Sequence, residues 1–524
     1  MKKISIGLLF AVSALFASGV FAEIKMPKIF GDNMVFQAGK PVKVWGSAEP
    51  NAEVSVKFGK YEKSATASGD GSWSVKLPSM RPDKNPKELL VFENGKESKK
   101  IANVLVGEVW VLGGQSNMEW KLIPTTDGEA AAKRADYPIL RCFQQDGRSM
   151  AETPQKDFPD GAKWVVCTPK TAPSFSGVGF YFAEKLMKDL DVPVAVIYTP
   201  LGATSMACWI PEKNMSDCDA LKRQFDKFKK ESAGYDYKKA LDAHNKKIAD
   251  FDAKVAKAKA EGKKVPSVPW DFRIPPNKFS TWKFFWIPAY HYNAKVAPLD
   301  GFAVRGVLWY QGESDSTIWM LDNFQRQFEI LIGAWRELLG GEDLPFLFVQ
   351  LASYGTRADW AETRWAQYNT ARDMENVFMA NIIDLGEEKD IHPKNKTDVG
   401  LRLEKIAMRK VYGESDAKAF APTMKNVEYS NAVAVVDFDC DDAEIEGRGN
   451  PRGFEVLVNG EWLKPSGAKI ENGKVVLYSP NAYSIDGVRY LWKSWAQPDV
   501  WIFDSNGLPA VSFKHLKKWE YKNL

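Results

Sequence analysis

Four short runs of almost unbroken apolar residues limit the folds open to this chain: Val109-Trp-Val-Leu112, Val194-Ala-Val-Ile-Tyr198, Gly306-Val-Leu-Trp309 and Phe346-Leu-Phe-Val349. A strand that is apolar on both faces has to be covered on both, which is the condition of a parallel sheet flanked by helices. Stretches with helical apolar spacing, Gly179 to Lys188 and Asn323 to Leu339, lie between these runs. Residues 104–416 are therefore read as an α/β domain.

The texture differs on either side. Residues 23–103 alternate apolar and polar positions in short segments, Val42-Lys-Val-Trp45, Val54-Ser-Val-Lys-Phe58 and Trp73-Ser-Val-Lys-Leu77, with Gly69-Asp-Gly-Ser as a turn. This predicts a small β-sandwich. From 417 to 524 the pattern returns in Ala432–Val436, Phe454–Val458, Val475–Leu477 and Val500–Phe503, broken at Asn459-Gly460 and Asn472-Gly473, and predicts a second sandwich. Inside the α/β region the rhythm stops between about 211 and 286. Asp219 to Lys264 is rich in Lys and Ala and reads as one or two solvated surface helices. The cluster Trp270, Trp282, Phe284, Phe285 and Trp286 that follows is either a cleft lining or plain packing.

Met1-Lys-Lys, an apolar run from Ile4 to Phe21 and small residues before Glu23 have the three regions of a secretory signal peptide, residues 1–22. No later stretch is apolar enough to span a bilayer, so the expectation is an exported protein, periplasmic or extracellular, without stable membrane insertion. The formal charge is +4, falling to +2 once the two leader lysines are lost, which argues against a nucleic-acid partner. Cys142, Cys167, Cys208, Cys218 and Cys440 match no zinc or redox spacing; Cys208 with Cys218 and Cys142 with Cys167 are the candidate disulfide pairs of an oxidising compartment.

Chemistry is concentrated where the apolar runs end. Gly113-Gly-Gln-Ser116-Asn-Met follows the first of them. A serine at the carboxyl end of a strand, beside glycines that allow a tight turn, is where such a sheet presents a nucleophile. A serine needs a base, and the chain has 4 histidines. His244 lies in the Lys-rich insertion and His515 in the basic tail, both read as solvated; His291 sits in an aromatic-rich stretch and reads as packed. His392 follows the apolar stretch 377–385 and the acidic loop Gly386-Glu-Glu-Lys-Asp-Ile-His-Pro393, and loops past strand ends carry catalytic groups. A third run ends in Tyr310-Gln-Gly-Glu-Ser314, where the Gln311 amide is a candidate donor to an oxyanion. Gly202 in Leu201-Gly-Ala-Thr is a candidate second donor through its backbone.

With these segments in view, the chain resembles the sialate O-acetylesterase family of SGNH/GDSL-type hydrolases. The resemblance rests on Pro27-Lys-Ile-Phe-Gly-Asp-Asn-Met-Val-Phe-Gln37, Val106-Gly-Glu-Val-Trp110 leading into Gly-Gln-Ser-Asn-Met, Tyr292–Pro298, Trp309-Tyr-Gln-Gly-Glu-Ser314, Asp390-Ile-His-Pro393, Gly487-Val-Arg-Tyr490 and Gly507-Leu-Pro. It implies a three-layer α/β/α domain with β-sandwich parts. It also implies Ser116 as nucleophile, His392 as base, and an oxyanion hole from the Ser116 and Gly202 N–H groups and the Gln311 amide. Gln115, Asn117 and Glu313, in the same segments, are candidate substrate contacts. Two positions depart from the wider superfamily: Lys389 stands where an acid is usual, leaving Asp390 as the provisional orienting acid with Asp384 or a backbone carbonyl as alternatives, and Leu201-Gly-Ala-Thr replaces a Gly-Gly-Thr style of segment.

The implied reaction is hydrolysis of acetyl esters on a carbohydrate through a serine acetyl-enzyme, with no metal or organic cofactor. An acetylxylan esterase or other polysaccharide deacetylase uses the same site on another sugar. A non-catalytic carbohydrate-binding protein is the reading from a different class, and it leaves unexplained why Ser116, Gln311 and His392 each follow a separate buried strand.

Overall fold

The computed structural model describes residues 24–145, 147–268, 272, 275–317, 323–481 and 483–517. The expected leader, residues 1–22, and Trp270 lie outside the described residues.

The first strands are β1 (Val35–Gln37), β2 (Val42–Ser47), β3 (Glu53–Phe58), β4 (Tyr61–Thr66), β5 (Ser72–Leu77), β6 (Asp83–Glu93) and β7 (Lys96–Gly114). β2 pairs with β5, while β3 joins β4 to β6 and β6 continues onto β7, so the amino-terminal part is an all-β unit. The expected boundary between 103 and 104 falls inside one unbroken strand. β7 starts at the surface among lysines, pairs with β6 and β1, and ends buried in the α/β sheet against its parallel neighbours. A single strand thus fixes the two parts to one another.

The α/β sheet adds β8 (Tyr137–Gln144), β9 (Lys163–Cys167), β10 (Val194–Tyr198), β11 (Gly306–Tyr310), β12 (Phe346–Val349) and β13 (Val377–Ala380) in the order β13-β12-β11-β7-β10-β8-β9. All neighbours are parallel except β8 and β9. Alternation along β7 divides the core into two layers. Trp110 and Leu112 face one cluster with Val178, Phe182, Leu403 and Ile406; Val109 and Val111 face the other with Phe328, Leu331 and Trp335. Helices Gly177–Leu190 and Lys396–Lys410 cover the first face and Phe324–Leu339 the second. This is the three-layer arrangement.

The insertion folds as two helices, Asp219–Ser232 and Tyr237–Ala260. Leu221 and Phe228 anchor the first, and the second buries none of its residues, in keeping with its lysine content. Among the described residues no helix is long and apolar enough to cross a membrane.

Beyond 417, two four-stranded antiparallel sheets face each other across a core that includes Val427, Val436, Leu477, Val456, Val488 and Phe513. This sandwich is tied to the α/β domain by Arg364, wholly buried on the helix Trp360–Asp373, whose guanidinium donates to the carbonyls of Leu491, Lys493 and Ser494. The Asn381 amide adds a bond of 2.7 Å to the Pro509 carbonyl.

All five cysteines are free thiols, which overturns the expected pairs. The register gives the reason for one: Cys142 stands opposite Val165, while Cys167 stands opposite Tyr137. His515 also differs from expectation, for it lies on the strand Phe513–Leu516 with Nδ1 2.8 Å from the Tyr429 hydroxyl.

Candidate active site

The turn after β7 is shaped by backbone proximity. Gly114 has φ 120°, and a Cβ there would stand 2.1 Å from the Tyr310 carbonyl oxygen. At Gly113 a Cβ would meet the rings of Trp309 and Trp335 at 2.7 and 2.8 Å. Both neighbours press so closely that only glycine fits. Gln115 then bonds through its N–H to Tyr310 O at 2.9 Å, and its side-chain oxygen accepts from the N–H groups of Gly312 and Ser314. The chain enters the one-turn helix Ser116–Glu119 at once. Ser116 is its first residue, where backbone N–H groups lack intrahelical acceptors.

His392 Nε2 lies 2.9 Å from Ser116 Oγ. The imidazole also stacks on Trp120, with centroids 4.7 Å apart and planes 17° from parallel. Burial lowers the pKa of the ring below the ordinary histidine value, the Lys396 charge lowers it further, and Asp390 and Glu119 oppose the shift. A neutral imidazole beside a serine hydroxyl is the state that accepts a proton.

Asp390 does not reach the ring within hydrogen-bond distance: its Oδ1 is 3.7 Å from Nδ1. The same oxygen accepts from the His392 backbone N–H at 2.9 Å and so shapes the loop. Asp384 is committed elsewhere, in a two-pronged ion pair with Arg402 at 2.7 Å on each arm.

Two of the three expected oxyanion donors, the Gly202 N–H and the Gln311 amide, are engaged. Gly202 N–H donates to the Glu119 carboxylate at 2.6 Å. The Gln311 amide donates to Thr204 O at 3.2 Å and to Asp315, whose own pKa burial pushes up to about 7. Gly202 is close to Ser116, for a Cβ on it would sit 3.2 Å from the Ser116 Cβ. The next residue, Ala203, holds φ 61°, a left-handed conformation that costs an alanine about 1 kcal/mol. The Gly-Gly-Thr style of segment would avoid that strain.

Gln115, Asn117 and Glu313 are buried parts of the scaffold. The Asn117 amide donates to Glu313 and to the Ile391 carbonyl at 3.0 Å, and its oxygen accepts from Lys396 Nζ at 2.5 Å. Burial pushes Lys396 down to about 7 and Glu313 up, each toward its neutral form. Asn117 therefore joins the serine helix to the loop that carries His392. Trp120, Glu119 and Lys396 were not singled out from the sequence. The first two stand four and three residues beyond Ser116 on one helical turn, a spacing that brings side chains to the same face. Lys396 carried no such signal.

A cavity of about 720 Å³ is lined by Arg148, Phe279, Trp282, Phe284 and Phe285 among others, and by none of Ser116, Gly202, Gln311 and His392. The aromatic cluster of the insertion thus lines a cleft and also packs. Gly147, the residue before the cavity's Arg148, approaches Glu119: its Cβ position is 3.7 Å from a Glu119 carboxylate oxygen, and Lys295 Nζ bonds the carbonyls of both Gly147 and Pro200. His291 stands behind the cavity, wholly buried, between the carbonyls of Ser149 and Phe284.

Fold and comparisons together define a carbohydrate esterase built on an α/β/α core. Residues 286–411 match the family model described as carbohydrate esterase, sialic acid-specific acetylesterase. The chain is 24% identical over 498 residues to the sialate O-acetylesterase of Rattus norvegicus, covering 86% of each. It is 23% identical over 494 residues to that of Homo sapiens, covering 86% of this chain and 84% of the relative. The crystal structure of a carbohydrate acetylesterase from Xanthomonas citri superposes with a TM-score of 0.77 at 28% identity, over 95% of this chain and 100% of that one. The chain is thus similar to sialate O-acetylesterases over most of its length and is a carbohydrate O-acetylesterase.

Proposed function

We propose that Ser116 is the nucleophile and His392 its general base, acting on acetyl esters of a sugar, with acetylated sialic acid as the substrate suggested by the family. The observation that carries this reading is the 2.9 Å contact between Ser116 Oγ and His392 Nε2, made by residues far apart in the chain. Ser116 attacks the acetyl carbonyl while the imidazole takes its proton. The sugar hydroxyl leaves with that proton, and water releases acetate from the serine. The cavity beside Gly147 is of a size to receive the sugar, with Phe279, Trp282 and Phe284 offering ring faces and Arg148 a positive charge. Residues 1–22 support export, to the periplasm or beyond the cell.

Ser116→Ala is expected to lower kcat on a chromogenic acetate by about 10³-fold or more with unchanged thermal unfolding; retention of most activity removes the serine from the mechanism. The pH profile has a defined sign. Since His392 must be neutral to accept a proton and burial lowers its pKa, kcat/KM should fall only below the ordinary histidine range, around pH 6.5. An acid limb above neutrality contradicts the assignment. The Xanthomonas citri relative is named only as a carbohydrate acetylesterase, which keeps acetylated plant polysaccharide as a second reading. Acetate release from acetylated sialic acid and from acetylated xylan, measured side by side, decides between them.

A further inference from the structure

Two of the three donors expected to receive the acyl oxygen, the Gly202 N–H and the Gln311 amide, are already bonded to carboxylates. At Gly202 the bond is short and charge-assisted, 2.6 Å from N–H to Glu119 Oε2. A backbone N–H carries one proton, so it cannot hold Glu119 and an oxyanion at once. The carboxylate is also beside the nucleophile. The Cβ position of Gly202 lies 2.9 Å from Glu119 Oε2 and 3.2 Å from Ser116 Cβ, so the two side chains touch the same face of one residue. Glu119 reaches there because it stands three residues after Ser116 on a single helical turn, pinned by its own N–H to Gln115 O at 2.9 Å. A carboxylate in this place has the charge and shape of acetate, the product of the reaction.

We propose that Glu119 gates the acyl site: in the free enzyme its carboxylate covers the Gly202 N–H, and it withdraws when the acetyl group arrives. The inference rests on the serine reading above. Glu119 acts through Gly202 and is a positioning residue that trades places with the reacting oxygen. Negative charge developing on the acyl oxygen would be repelled by a carboxylate left in place and stabilised by a donor set free. Covering the donor holds the loop 201–204 in shape between turnovers and opposes rebinding of acetate.

The test compares the full-length protein with Glu119→Gln and Glu119→Ala, using a p-nitrophenyl alkylphosphonate. The serine oxygen bonds to phosphorus as its proton passes to His392, the P–O bond to p-nitrophenolate breaks and that anion leaves, and the adduct places a phosphoryl oxygen carrying partial negative charge at the acyl site. Glu119→Ala should react about tenfold faster than the natural protein, with Glu119→Gln between them because its neutral amide oxygen still accepts from Gly202. Inhibition by sodium acetate should tighten in the same order, a change that loss of structural support would not produce. Glu119→Gln retains the shape of the side chain and guards against a folding defect in the alanine variant. Slower or unchanged phosphonylation in both variants, with acetate inhibition unmoved, overturns the gate and makes Glu119 a support for Gly202. If the natural protein and both variants all fail to label Ser116 by mass, the serine reading itself is at fault and the gate falls with it.

Discussion

The two sides of the proposed catalytic pair, Ser116 and His392, are held by different means. Ser116 is placed by the sheet: β7 delivers it, Gly113 and Gly114 lie against Trp309 and Tyr310, and Gln115 is bonded on both its backbone and its side chain. His392 is placed by side chains from elsewhere, well past the end of β13. Trp120 stacks on it, Asp390 caps its N–H, and Asn117 bonds the carbonyl of Ile391. The side chain of His392 keeps about 25% of its exposure. A nucleophile fixed by main-chain geometry tolerates little change in shape, whereas a base fixed by polar contacts responds to changes in charge.

Gly114→Ala should break the first side most severely. The added carbon would stand 2.1 Å from a carbonyl oxygen at a φ of 120°, so β7 and β11 must separate or the turn must rebuild. A loss of about 4 kcal/mol or more is expected, enough to abolish folding in a domain of ordinary stability. Urea denaturation measures it, and a loss under about 1 kcal/mol would show that the turn is not held by this contact.

Asn117→Ala attacks the join between the two sides. It leaves Lys396 and Glu313 buried without the amide that links them and frees the carbonyl of Ile391. Leaving buried polar groups without their partner typically costs about 3 kcal/mol, and the proposed base should lose its register with the serine. Both stability and kcat should fall while KM changes little. If kcat survives with the stability loss alone, the histidine loop is held by Trp120 and Asp390 without help from the network.

The same contrast explains what could be read from the chain. The parallel strands were legible because residues buried on both faces must be apolar along their whole length, and the proposed nucleophile Ser116 because the glycines beside it mark a turn that no other residue can make. The strand boundary was not, because β7 pairs with β6 and β1 as far as Gly107 and with β10 from Glu108 without changing conformation, and alternation does not register a change of partner. His392 was found by elimination among 4 histidines. Its supports were hidden: Trp120 and Glu119 are ordinary residues until a helical turn aims them, and Lys396 reaches Asn117 across 279 positions of sequence. With Lys389 at the position where an acid is usual, Asp390 was the provisional orienting acid, yet distance gives it mainly a backbone role.

That last point yields the smallest effect. Asp390→Asn keeps an oxygen able to accept from the His392 N–H and removes only the charge, which raises the pKa of the ring. Removing it should shift the acid limb of kcat/KM to lower pH and reduce kcat by less than about tenfold. In a triad whose acid binds the imidazole directly, the same change costs about 10⁴-fold, since the wrong tautomer is left beside the serine. A loss of that size here would mean that the 3.7 Å gap closes during turnover and that the carboxylate then orients the ring. A small loss would instead mean that stacking on Trp120 and the fixed loop orient the base, so the histidine side of the pair depends on packing more than its acidic loop suggests.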